Sequence, residues 1–473
     1  MTTFYYVSAP AGSGKTYGLS HHAADLAKQH QKLIIAQPTK KLIQQTKRQI
    51  SQIDRSVPVS VIYGEDAVRR IEAHIEHAAP NHGEVLIITH ESLKRLSTNN
   101  RKHWNLVVDE VPSAFVHMPY QIARTHHIVT DYLDVGSDLT PGVKVVKVGN
   151  AAKVEELIVN ETDDQNIAAF APLLNAVSDD GKLVCVGESN YADLLSNPST
   201  MGHVDFFSIL LDAFVSGFAS ATFMAANFKA TELYTVWEKV LNVDWVEHST
   251  IGQYLLYSTH QNGNRLTINY LLDANWSRRH ADRDEGEQSN LARVAEYVED
   301  YMDGRDYLWH ANTDADRELF RSRYRLDSVI HGIDREDYRG IHNVVLVSAL
   351  NHATPAYKFL DMLGISSEQA QAMLAYQTEY QTLMRCSLRD PKAVQPVTVM
   401  VMSRGSAEWL ADLFPGARVE KLESGIKEPN PRGRPKKAKP LTNRERQAAL
   451  RERKKAAEQA LNARLRLASE NGS

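Results

Sequence analysis

Two glycines, a lysine and a threonine spaced as Ala9-Pro10-Ala11-Gly12-Ser13-Gly14-Lys15-Thr16 can hold a chain of phosphates. Successive backbone N–H groups at a helix N-terminus surround anionic oxygens, so Ala11, Gly12, Ser13, Gly14, Lys15, Thr16 and Tyr17 are the candidate nucleotide-binding residues. Lys15 would reach the β- and γ-phosphates, and the Thr16 hydroxyl would hold Mg²⁺. Farther along, the apolar run Asn105-Leu-Val-Val ends in Asp109-Glu110. Asp109 would share the metal ion with Thr16, and Glu110 would activate the attacking water. A strand ending in Asp-Glu is by itself more often a solvated strand end. Its position after a phosphate loop makes the pair a candidate for triphosphate hydrolysis.

These residues need a scaffold that brings strand ends together. From Phe4 to Asp109, short apolar runs (FYYVS, LIIAQ, VSVIY, VLIIT, NLVVD) alternate with longer amphipathic stretches, among them Thr16 to Gln29 and Lys40 to Ile53. Such alternation predicts a parallel sheet with helices on both faces, and active residues at the strand C-termini. Residues 113–212 break the pattern with turn clusters such as VGSDLTPG and SNPST, and are read as an insertion. A second alternating block, with candidate strands at YLWHAN, NVVLVSAL and VTVMVMS, predicts a second α/β domain. The expected division is therefore 1–260 with the insertion, 261–418, and a tail over 419–473.

Several further blocks, in this order, resemble superfamily 2 helicases of the DEAD/DEAH-box-like kind, especially phage- and plasmid-encoded members. Gln37-Pro38-Thr39-Lys40 is similar to the motif whose turn touches the nucleic-acid backbone, and Thr89-His90 to the next such motif. Asp109-Glu110-Val111-Pro112 stands for the acidic box, and Ser220-Ala221-Thr222 for the segment that couples hydrolysis to strand movement. Trp309-His310-Ala311-Asn312 and the region 332–351 fall where two second-domain motifs would lie. Gln381 to Arg389 is similar to the motif whose arginines reach the γ-phosphate, with Gln381, Arg385 and Arg389 as the candidates. The resemblance implies two RecA-like motor domains, ATP and Mg²⁺ as cofactors, and an ATP hydrolase that moves on or unwinds DNA in replication, recombination or repair. RNA is left open as the strand. Pro112 cannot make the side-chain hydrogen bond that the fourth residue of the acidic box usually makes, and the two arginines are four apart where the family spaces them by three.

Charge divides the chain unevenly. Between Lys421 and Ser473 there are 15 Lys plus Arg against 6 Glu, a surplus of +9 in a chain whose net charge is -4. This basic tail, disordered or helical, contains Pro431-Arg432-Gly433-Arg434-Pro435-Lys436-Lys437, which looks like an AT-hook whose Arg432, Arg434, Lys436 and Lys437 would enter a narrow minor groove. A merely solubilising tail is the competing reading. Two cysteines, with no CxxC pair and no His cluster at ligand spacing, support neither a disulfide framework nor a zinc site, and no run of ~18 apolar residues occurs, so a cytoplasmic protein without membrane contact is expected. Two rivals differ in kind. One is a viral DNA-packaging ATPase, whose nuclease half would draw on Asp314, Asp316 and Glu318; the other is a DNA-binding remodelling scaffold with little turnover.

Overall fold

The computed structural model describes residues 3–121, 127–196, 203–283, 288–327 and 338–429. The AT-hook-like segment with Arg432, Arg434, Lys436 and Lys437, and part of the 332–351 region, lie outside the described residues. The fold is α/β, built on two wholly parallel sheets, with an antiparallel sheet inserted in sequence within the first of them.

The first sheet has seven strands: β1 (Phe4–Ser8), β2 (Lys32–Gln37), β3 (Val59–Val61), β4 (Glu84–Thr89), β5 (Trp104–Asp109), β11 (Ser220–Ala225) and β12 (Val246–Glu247). Their spatial order is β12-β1-β11-β5-β2-β4-β3. All six residues of β2 are buried, as expected of a parallel strand covered on both faces. Alternate residues serve the two faces. Leu33, Ile35, Ile87, Val107 and Met224 pack with Leu19, Ala23, Ile43 and Ile50 of the helices Lys15–Lys28 and Lys40–Ile53. Ile34, Leu86, Ile88, Leu106 and Phe223 face the other way, against Ile71, Ile75, Leu233 and Trp237. Each such fully buried aliphatic side chain contributes about 1.5–3 kcal/mol.

Between β5 and β11 the chain makes a five-stranded antiparallel sheet from β6 (Phe115–Gln121), β7 (Leu133–Thr140), β8 (Val143–Val148), β9 (Lys182–Gly187) and β10 (His203–Leu210), ordered β6-β10-β9-β8-β7. One face carries Val184, Val186 and Phe206 against Phe170, Leu173 and Leu174 of the helix Gln165–Val177. On the other, Phe207 stacks on Phe359 of the helix Thr354–Met362, ring centroids 4.0 Å apart.

The last sheet is parallel in the order β14-β15-β16-β13-β17, from β13 (Leu266–Leu272), β14 (Leu308–His310), β15 (Asn343–Leu346), β16 (Val397–Ser403) and β17 (Arg418–Lys421). Ile268, Val344, Val399 and Val401 face Tyr380, Leu383 and Leu410. Val345, Met400 and Met402 face Val294, Val298 and Met302. The two parallel sheets answer to the expected RecA-like pair. Among the described residues no helix is long and apolar enough to cross a membrane.

Candidate nucleotide site between the two parallel sheets

The phosphate loop leaves β1 at Ser8 and enters the helix that begins at Lys15. Gly12 and Gly14 have φ of 85° and 87°, a left-handed geometry that side-chain-bearing residues seldom adopt. The buried Lys15 Nζ donates to the carbonyls of Ala9 (3.1 Å) and Pro10 (3.2 Å), so the ammonium lies folded onto its own loop. Burial pushes its pKa down, with Arg389 adding to this and Glu110 and Asp109 opposing it.

Asp109 and Glu110 end β5 next to that loop. Burial, reinforced by Glu110, pushes the Asp109 carboxyl up to about 7 against the pull of Gln37 and Lys15. Burial likewise pushes Glu110 up, while Lys15, Arg385 and Arg389 hold it down. Glu110 has φ 65°, and its N–H donates to the Met224 carbonyl at 2.8 Å. A non-glycine residue held there costs on the order of 1–2 kcal/mol, and such strain gathers at active sites.

A cleft of about 790 Å³ is lined on one side by Gly12, Gly14, Lys15, Thr16, Asp109 and Glu110, and on the other by Gln381, Arg385 and Arg389. The helix Gln377–Leu383 and the turn after it set the second wall. The helix ends at Leu383, so the four-residue spacing does not place Gln381, Arg385 and Arg389 on one helical face; the turn at Arg385 and the short 3-10 turn Ser387–Arg389 bring the two arginines to the cleft beside Gln381. Arg389 lies against the phosphate loop, its Cγ only 3.2 Å from where a side chain on Gly12 would begin. Thr16 and Asp109 offer hard oxygen ligands side by side in the cleft, and burial holds the Asp109 carboxyl up, a donor set that fits Mg²⁺. Among the described residues no group of three or more His, Cys, Asp or Glu could hold a metal alone.

Several residues act at the site in ways that no local sequence signature announces. Gln37 Nε2 donates to Asp109 Oδ2 and to Thr46 Oγ1, both at 2.8 Å, and so orients the carboxylate. The Tyr380 hydroxyl accepts from the Ala11 N–H at 2.7 Å and pairs with His260 Nε2 at 2.9 Å. Tyr257 donates from its hydroxyl to the Ala11 carbonyl at 3.1 Å, and the Leu256 N–H to the Ser13 carbonyl at 2.8 Å. The phosphate loop is thus held from outside by Leu256 and Tyr257, from the chain between the two sheets, and by Tyr380 of the second-wall helix. Arg339 also lines the cleft. The one available clue was that Tyr380 adjoins Gln381 in sequence.

Other expected site residues fall elsewhere. Thr39 and Thr89 are helix N-caps, accepting from the N–H groups of Leu42 and Ser92, each at 3.2 Å. They and Pro38 end or follow β2 and β4, while Lys40 is exposed with its ammonium 5.4 Å from the Tyr63 ring centroid. His90, expected at a nucleic-acid surface, is aimed inward: its Nε2–H donates to the Asp109 carbonyl at 3.1 Å. Burial lowers its pKa to about 4, so it is neutral there.

Ser220, Ala221 and Thr222 occupy the start of β11, the opposite end of the sheet from the cleft. Ser220 pairs in register with Asn105, and its hydroxyl donates to Asn105 Oδ1 at 2.7 Å, whereas Met224 is level with Asp109. Four residues along a strand span ~13 Å. The geometry therefore parts this tripeptide from the acidic pair. Asp314 pairs with Arg278, and Asp316 Oδ1 accepts from the Glu318 N–H at 2.9 Å; among the described residues they form no carboxylate cluster of the kind a two-metal nuclease requires.

No curated protein matches the chain. Among solved structures it is similar to Saccharomyces cerevisiae Dbp5 bound to RNA and ADP BeF3, at 10% identity and TM-score 0.35, covering 89% of this chain and 86% of that one. It is also similar to UvsW of T4 (9% identity, TM-score 0.25, 89% and 74% covered). A third is a hypothetical ATP-dependent RNA helicase from Sulfolobus tokodaii (11% identity, TM-score 0.25, 87% and 90% covered). A family model described as DEAD/DEAH box helicase matches residues 3–130, the stretch that carries the phosphate loop and the Asp109-Glu110 pair, and assigns a helicase-type ATPase domain to this part of the chain.

Proposed function

We propose that the protein is an ATP-dependent translocase or helicase that converts hydrolysis into movement along nucleic acid, with DNA as the strand. The observation that carries this reading is the two-walled cleft, with Lys15, Thr16, Asp109 and Glu110 facing Gln381, Arg385 and Arg389. Lys15 binds the β- and γ-phosphates in place of the carbonyls of Ala9 and Pro10 that it now meets. Glu110 takes a proton from the attacking water, and the lysine beside it disperses the resulting charge. Mg²⁺, held by Thr16 and Asp109, would neutralise phosphate charge. Arg385 and Arg389 stabilise the transition state from the opposite wall, so hydrolysis and release alter what binds the walls together. DNA as the strand rests on the basic tail with Arg432, Arg434, Lys436 and Lys437.

The test is ATP turnover by the full chain with and without single-stranded DNA, forked duplex DNA and RNA, beside Lys15→Ala. The expected result is turnover stimulated by DNA and abolished in Lys15→Ala. Turnover indifferent to every nucleic acid would refute the motor, stimulation by RNA alone would refute the strand, and turnover surviving in Lys15→Ala would refute the site.

A further inference from the structure

The acidic box ends in Pro112, which has no side-chain hydrogen bond to offer, while Ser220 opens β11 at its far end and Thr222 lies in mid-strand, level with Val107. The loop that carries Glu110 is nevertheless tied down by a different residue. Glu232 opens the short helix Glu232–Val236, beyond the C-terminal end of β11. Its Oε1 accepts three hydrogen bonds from the chain just past Pro112: the Ser113 hydroxyl at 2.7 Å, the Ala114 N–H at 2.7 Å and the Phe115 N–H at 2.9 Å. One carboxylate oxygen thus gathers three consecutive residues, the last two of the loop after β5 and the first of β6.

The turn that delivers Glu232 touches two further parts of the machine. At its start, the Phe228 N–H donates to the Ser8 hydroxyl at 3.0 Å, where β1 passes into the phosphate loop. Next to it, the carbonyl of Asn227 accepts from Gln377 Nε2 at 3.1 Å. Gln377 begins the helix that carries Gln381, and Gln377, Gln381 and Arg385 follow at four-residue spacing. Thr231 stiffens the turn from within, its hydroxyl donating to the Phe228 carbonyl at 2.6 Å and accepting from the Tyr234 N–H.

We propose that Glu232 is the positioning residue for the loop bearing Glu110, and that the turn 227–232 relays movement of the opposite wall, through Gln377, to that loop. The relay rests on the helicase-type ATPase reading, with Glu110 acting on water. It assigns to the end of β11 the coupling expected at its start. Glu232 touches neither nucleotide nor water; it sets where Glu110 stands. Gln377 reports whether the two walls are engaged.

The experiment compares full-length Glu232→Ala, Glu232→Gln and Gln377→Ala with wild type and Lys15→Ala, reading kcat and KM for ATP with and without DNA. Glutamine keeps an oxygen acceptor, so Glu232→Gln should retain kcat within about threefold, whereas Glu232→Ala should lose about tenfold or more in kcat with KM within about twofold. Gln377→Ala should keep its unstimulated rate and lose most of the stimulation. A folded Glu232→Ala with wild-type kcat, or with KM raised in proportion, would overturn the positioning role. Should that variant fail to fold, a Glu232→Gln that has lost stimulation or a Gln377→Ala that is fully stimulated overturns the proposal, and the converse pair upholds it. An active Lys15→Ala would instead condemn the underlying reading of the site.

Discussion

Glu379 offers a test of the second wall that does not depend on any ligand. It lies on the helix Gln377–Leu383, buried, with its carboxylate met by the Ser406 hydroxyl of the neighbouring helix Arg404–Leu413. Burial pushes its pKa from an ordinary 4.5 up to about 7, and the Ser406 hydrogen bond only partly opposes this. A carboxyl with a raised folded-state pKa binds its proton more tightly in the native than in the unfolded chain. Stability from this group is therefore present at low pH and is lost as the pH rises from about 4.5 to 7, with no further change above. A displacement from 4.5 to about 7 corresponds to about 3 kcal/mol at about 1.4 kcal/mol per pH unit. Glutamine has the shape of the protonated acid and never ionises. Glu379→Gln should thus be the more stable protein at pH 8, and its advantage over wild type should widen by about 2–3 kcal/mol between pH 5 and pH 8. Urea titrations of both proteins at both pH values give this double difference directly, provided the slopes match. An advantage that is the same at the two pH values, or a wild type that is more stable at pH 8, would refute the assignment of a buried, proton-binding carboxyl.

Three further outcomes follow from particular contacts. Gly12→Ala would force a left-handed residue and place a Cβ 3.0 Å from the Tyr257 hydroxyl and 3.2 Å from Arg389 Cγ. Fluorescent-nucleotide titration should show ATP affinity weakened by more than about tenfold, or about 1.4 kcal/mol. The buried Arg101 donates to the carbonyls of Phe214, Ser216 and Leu96. Arg101→Met strands them and should cost about 2–4 kcal/mol in denaturant unfolding. The thiols of Cys185 and Cys386 are buried and pushed up to about 12 by that burial. A thiol reagent should label neither within minutes in the native protein and both in denaturant.

What sequence shows and hides here follows from the range of each interaction. The phosphate loop is legible because its glycines, lysine and threonine act within eight consecutive residues, and Asp109-Glu110 because a buried strand must end in something polar at the sheet edge. The helix Lys40–Ile53 emerges at its expected bounds, since Thr39 caps it and its apolar stripe has helical spacing. Gln37, Tyr380 and Glu232 stayed hidden because each acts on a residue far away in the chain. Gln37 stands in a block that points to the nucleic-acid backbone, and nothing in that block announces a carboxylate 72 positions on. Ser220-Ala221-Thr222 misleads for a subtler reason: the tripeptide was matched without the register, and register puts it level with Asn105 rather than Asp109. His90 misleads likewise, because its ring turns towards the Asp109 carbonyl and away from solvent.

The neighbours of β1 set an order of assembly. β5, β2, β4 and β3 lie side by side and come from residues 32–109, so they can pair as soon as that stretch exists. β1 pairs with β11 and β12, which end at Ala225 and Glu247. During synthesis at about 5–20 residues per second, β1 therefore waits roughly 10–40 s for its partners, with the apolar Phe-Tyr-Tyr-Val exposed. The antiparallel insertion must be threaded through before β11 can take its place. The nucleotide site thus forms only after β11 is made, although its loop is synthesised more than two hundred residues earlier. A nascent chain released before Ala225 holds every residue of the phosphate loop and yet lacks the strand that would position it.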